Sequence, residues 1–137
     1  MKSDIDIKDD VYGIIKGSAL ESAVSGKICK SGHRPDYKPS ESPKEDIVIS
    51  VLANETAQTQ EAIVNVNIYV KDVKRDSWVE ENQPRLRELC SIAFIVLDGA
   101  HADGFRFHIS SQRVISTEDA VGEHIINNRI IYKQINE

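Results

Sequence analysis

The stretch that most constrains this chain is a strict two-residue alternation, in which Val64, Val66, Ile68 and Val70 interleave with Asn65, Asn67, Tyr69 and Lys71. Successive side chains of an extended strand point to opposite faces, so this period sets four aliphatic groups on one face of a sheet. A helix would scatter the same groups around its circumference. The chain must therefore build a sheet with a dry face, and another element must cover that face. Upstream, residues 47–52 are almost continuously apolar, the pattern of a strand covered on both sides. The polar residues 53–61 between the two strands are long for a tight turn, so the connection is expected to project while the strands pair antiparallel.

The cover is predicted from Leu86, Leu89, Cys90, Ala93, Phe94 and Leu97, which trace one helical stripe. Pro84 suits the first turn of that helix, and Asp98 with Gly99 supplies its stop. Leu89 and Phe94 are expected to be buried. Ile92, Ile95 and Val96 make the C-terminal half apolar on other faces too, so that end is expected to be covered by the fold or by another subunit. A short N-terminal helix follows from Ile7, Val11, Ile14 and Ile15, with Asp6 as its expected N-cap and an end near Gly17. Ala19, Leu20, Ala23 and Val24 allow a further turn before Gly26, and residues 27–30 read as a short strand. Phe105, Phe107 and Ile109 alternate with Arg106, His108 and Ser110; the pattern breaks at residues 111–113, where a bulge or bend is expected. Residues 124–135 read as one long strand, although Asn127 and Asn128 leave a hairpin open. The order predicts one α+β domain spanning residues 1–137, with a mostly antiparallel sheet, one long helix packed on a face and a short N-terminal helix.

At 137 residues, with 40% hydrophobic and 28% charged side chains, the chain holds enough apolar material for one core without metal or disulfide staples. Its formal charge of −5 and the lack of a basic block interleaved with aromatics argue against nucleic-acid binding. The longest wholly apolar run, residues 92–97, is too short to cross a bilayer, so no membrane partner is expected. The acidic start, residues 1–10, has no apolar core of a signal peptide, which predicts a cytoplasmic protein. Cys29 and Cys90 make no zinc spacing and are expected to be free thiols.

Catalytic signatures are sparse. No Gly-rich phosphate loop, nucleophile elbow or zinc-protease motif occurs. His101, Asp103 and His108 are the one compact set of metal-type ligands, but their spacing fits neither a helix nor a strand face, so neither metal nor cofactor is expected. They instead mark an alternative: a small-molecule-binding protein or enzyme with a pocket near these three residues. Cys90 falls on the core stripe and Cys29 begins a flexible region, so neither reads as a nucleophile.

Residues 31–44 break the pattern, with Pro35, Pro39 and Pro43 recurring among Ser, Lys, Glu and Tyr37. Proline removes backbone donors, so a projecting loop is expected rather than regular structure. The order HRPDYKPSESPKEDIVISVL followed by QTQEAIVNVNIYVKD, sharpest from Arg34 to Asp72, resembles the tail-completion and head-to-tail joining proteins of tailed phages and prophages. That resemblance implies a non-enzymatic structural subunit that forms a homo-oligomeric ring at the tail end and contacts tail-tube or connector proteins. It implies a location in the bacterial cytoplasm and then in the virion. By the same analogy, the proline-rich loop, with Arg34, Pro35, Tyr37, Pro39 and Pro43, and the connection at residues 53–62 would touch partners.

Overall fold

The structure, a computed structural model, describes residues 1–55, 59–117 and 122–135. Six strands form the main sheet: β1 (Ile28–Cys29), β2 (Ile47–Glu55), β3 (Glu61–Lys71), β6 (Ala100–Ala102), β7 (Phe105–Ser116) and β8 (Glu123–Gln134). Their spatial order is β1-β2-β3-β8-β7-β6, antiparallel throughout except for the parallel β1–β2 pair. A two-stranded ribbon of β4 (Val73–Lys74) and β5 (Val79–Glu80) stands apart. The helices are α1 (Asp4–Ile15), α2 (Ala19–Ala23) and α3 (Gln83–Leu97). The fold is α+β, with α1 packed on the β2 side of the sheet and α3 on the β7 and β8 side.

The alternation in β3 fixes the faces. Ala62, Val64, Val66, Ile68 and Val70 are buried beneath the helices, and the register carries the same face through Ile47 and Ile49 of β2 and Ile126 and Ile130 of β8. Ile7, Val11 and Ile15 of α1 and Leu86, Leu89, Ala93 and Leu97 of α3 close the core from above. Pro84 lies in the first turn of α3, where its missing N–H has no intrahelical role, and Gly99 follows the Asp98 C-cap at a φ of 78°.

Phe94 departs from expectation, being 48% exposed, and Ile95 is 76% exposed. The buried seam of α3, Leu86, Leu89, Ala93 and Leu97, is narrower than the six-residue stripe implies, and Phe94, about 100° further round than Ala93, falls on the flank. Several boundaries also move. Ser3, not Asp6, caps α1; its hydroxyl accepts from the Asp6 amide, and Asp6 answers as the third helical residue in a capping box. Helix α1 does end near Gly17, with Ile15 as its last residue, Lys16 as C-cap and Gly17 following at a φ of 78°. The bulge in β7 falls between Ile109 and Ser111, slightly before the expected break, and β2 carries another between Val51 and Ala53. Residues 53–55 and 61 belong to strands, not to a projecting connection; the remaining part expected to project includes residues 56–58, outside the described residues. β8 runs unbroken through Asn127 and Asn128, so no hairpin forms there. Both-face burial of β2 holds at Ile47, Val48 and Ile49 but fails at Leu52, which is 57% exposed.

Candidate functional site

The proline-rich segment is tied to the helix-free face of the sheet by a charged network. Asp46, fully buried just before β2, accepts from the Lys27 amide at 2.9 Å, Arg34 Nε at 3.0 Å and the Tyr37 hydroxyl at 2.6 Å. The Arg34 guanidinium also grips Glu123 of β8 bidentately, at 2.9 and 3.1 Å, and donates to the Lys44 carbonyl at 2.9 Å. Its carbon lies 4.0 Å from the centre of the Tyr69 ring, which the β3 alternation turns to this face. Burial pulls the Arg34 pKa down, but the hydrogen bonds to Glu123 and Asp46 outweigh it and leave the value raised. Burial, then the Asp46 contact, raises that of Tyr37. Gly26 is required here, since a Cβ would lie 2.3 Å from Asp46 Oδ1 and 2.4 Å from the Glu45 carbonyl. Of the residues the sequence marks for partner contact, Pro39 is exposed while Arg34, Pro35, Tyr37 and Pro43 are half-buried. Arg34 and Tyr37 thus bind within the chain, a role that nothing local in the sequence signals because Glu123 is 89 residues away.

The same face carries a charged row whose order only the register reveals. Glu55 of β2 stands opposite Glu61 of β3, Glu61 opposite Lys133 of β8, Lys133 opposite Arg106 of β7, and Arg106 opposite His101 of β6. The β2 end is acidic and the β7–β6 end basic, with like charges adjacent at each end, which is unfavourable in an isolated sheet. Among the described residues none of these five forms an ion pair. Between row and network, Asn127 donates to Asn67 at 2.7 Å and to Asn65 at 3.3 Å.

A cavity of about 520 Å³ opens beside the basic end, lined by His101, Arg106, Phe107, His108 and Ile135 among others. The structure thus brings His101 and His108 to one recess and leaves Asp103 outside its lining. His101 lies in the edge strand β6, with Arg106 as its direct partner across the pair. Among the described residues no group of three His, Cys, Asp or Glu side chains is placed to hold a metal ion. Cys29 is buried and Cys90 half-buried, both free. Burial raises both thiol pKa values, for Cys29 with a further push from Asp46, so neither has the lowered pKa of an activated nucleophile.

Among the described residues, two stretches of sheet edge have no strand against them. β1 covers β2 only at Ile47 and Val48, and β6 covers β7 only at Phe105, Arg106 and Phe107. Within the uncovered part of β7, Val114 and Ile115 are 39% and 37% exposed on opposite faces of the sheet, and α3, which packs against β7, exposes Phe94. Among the described residues no helix is long and apolar enough to cross a membrane. No protein-family model matches the chain, and no curated protein matches it.

Proposed function

We propose that the chain is a non-enzymatic assembly subunit that forms a homo-oligomeric ring and binds tail-tube or connector proteins, as its resemblance to phage and prophage tail-completion proteins implies. It would act in the bacterial cytoplasm and then in the virion. The observation that carries this reading is the apolar flank of α3: Phe94 and Ile95 stand 48% and 76% exposed on the helix that packs against β7, a strand with an uncovered edge. An exposed apolar flank together with unpaired strand backbone supports an association surface on this side of the sheet. The test is light scattering across concentration, alone and with tail-tube and connector proteins encoded at the same locus. A mass rising to a discrete multiple, or a defined complex, supports the reading. A chain that stays monomeric at every concentration and binds none of those proteins refutes it.

The recess of about 520 Å³ at His101, Arg106 and His108 favours a second reading, a site for a small anionic molecule. Three nitrogen-bearing side chains on a partly apolar lining can hold a carboxylate or phosphate. Titration with inorganic phosphate, followed by the NMR signals of His101 and His108, decides it: saturable shifts support the site, and unmoved signals remove it.

A further inference from the structure

We propose that the ring joint is made edge to edge, with residues 49–55 of β2 in one copy adding antiparallel to residues 110–116 of β7 in the next; this rests on the assembly reading above and specifies its interface. The two open edges are unlike, as a head-to-tail contact requires. In the order β2-β3-β8-β7 each neighbour reverses direction, so β7 runs opposite to β2. A second copy in the same orientation therefore brings its β2 antiparallel to this β7, and its helices fall on the same side of the continued sheet.

The short outer strands set the register. β6 blocks β7 as far as Phe107, and the Asp98 carboxylate takes the Ile109 amide at 3.0 Å, so free backbone begins at Ser110. β1 blocks β2 at Ile47 and Val48, so its free backbone is 49–55; with Leu52 bulged, 49–51 face 116–114 and 53–55 face 113–111, which keeps the dry faces of the two strands together. Within one copy Glu55 stands level with Arg106 across the row. The incoming β2 must slide past β6 from the level of Arg106 to that of Ser111, about four strand steps or roughly 13 Å, before it finds free edge. Closing a sheet on itself requires such a stagger between strands.

Charge selects the partner. The slide sets Glu55 of the incoming copy against Ser111, with His108 as its nearest basic neighbour two steps along the helix-free face and Arg106 and His101 two steps beyond. The acidic end of one row thereby meets the basic end of the next, relieving the like-charge neighbours at both. The helices agree. Ile5 of α1 is 63% exposed, and Asp9, one turn on, bonds Lys30 beyond β1, so this flank faces the β2 edge. Phe94 of α3 faces the β7 edge, where Asp98, one turn on, caps Ile109. Continuing the sheet sets the incoming Ile5 alongside Phe94.

Two experiments on the full-length chain test the joint. In a Cys90→Ser background, copies bearing Leu52→Cys are mixed with copies bearing Arg113→Cys under mild oxidation. The joint predicts that the mixed 52–113 disulfide dominates; predominance of 113–113 or 52–52 links, or no links, overturns it. Separately, Glu55→Arg and Arg106→Glu are each expected to weaken self-association about tenfold in sedimentation velocity, and a chain carrying both is expected to recover it. Unchanged association in both single variants overturns the joint. If the native chain still assembles into a discrete multiple after either failure, the ring reading stands and only this joint falls, whereas a chain that never associates removes both.

Discussion

Replacing Arg34 with alanine separates two views of the proline-rich segment by several kcal/mol. In a solvated loop the change would fall within about 0.5 kcal/mol of neutral. In the structure the Arg34 side chain is only 16% exposed, and its cation lies between Asp46 and Glu123, 0% and 4% exposed. Removing it takes the cation from two buried carboxylates, leaving Asp46 only the neutral Lys27 amide and Tyr37 hydroxyl, and it frees the Lys44 carbonyl and uncovers the Tyr69 ring. Breaking a buried ion pair from one side costs about 3–5 kcal/mol, mostly the penalty of the charge left behind. For a domain of this size that corresponds to a melting temperature lower by roughly 10–20 °C. Urea unfolding followed by circular dichroism gives the free energy, and a constant slope shows that the unfolded state has not changed. Arg34→Lys keeps the charge but not the planar fork that serves both carboxylates, so it is expected to fall between alanine and wild type. A loss below about 1 kcal/mol for Arg34→Ala would refute the network and return residues 31–44 to a free loop.

Leu89→Ala is expected to lose about 2–5 kcal/mol through transfer and cavity terms, whereas Phe94→Ala, on the exposed flank of the same helix, is expected to lose less than about 1 kcal/mol; chemical denaturation compares them directly. Gly26→Ala is expected to destabilise by about 1–3 kcal/mol or more, because its new methyl meets Asp46 and the Glu45 backbone, a loss readable as a lower melting temperature. Glu45 supplies a pH test. Burial works to raise its pKa, but the two Arg85 contacts, both 2.7 Å, and the Ser25 contact hold it below the ordinary 4.5. A carboxylate depressed in the folded state stabilises above its unfolded value, and that contribution is lost as pH falls below about 4.5 through the folded value. Glu45→Gln is therefore expected to be less stable than wild type at pH 7, with the gap narrowing in acid when urea midpoints are compared.

The identity and faces of the elements are legible in the residues because they depend on period alone. The β3 alternation, the α1 stripe and the Pro84 and Gly99 boundaries of α3 are local patterns that each segment carries with it. The expectation for Phe94 failed because periodicity locates a helical face only to within about a residue's turn, and Phe94, next to buried Ala93, lies just past the edge of that face. The charged features were invisible for a different reason. Arg34 reads as a loop cation until the fold sets Glu123 against it, and Glu55, Glu61, Lys133, Arg106 and His101 are scattered polar residues until strand register lines them up. Sequence determined which segments extend, which coil and which face of each is dry, since backbone sterics and burial act along neighbouring residues. Tertiary structure alone decided which distant charges meet and which strand edges stay open, because pairing order and register are set by the packing of the whole chain.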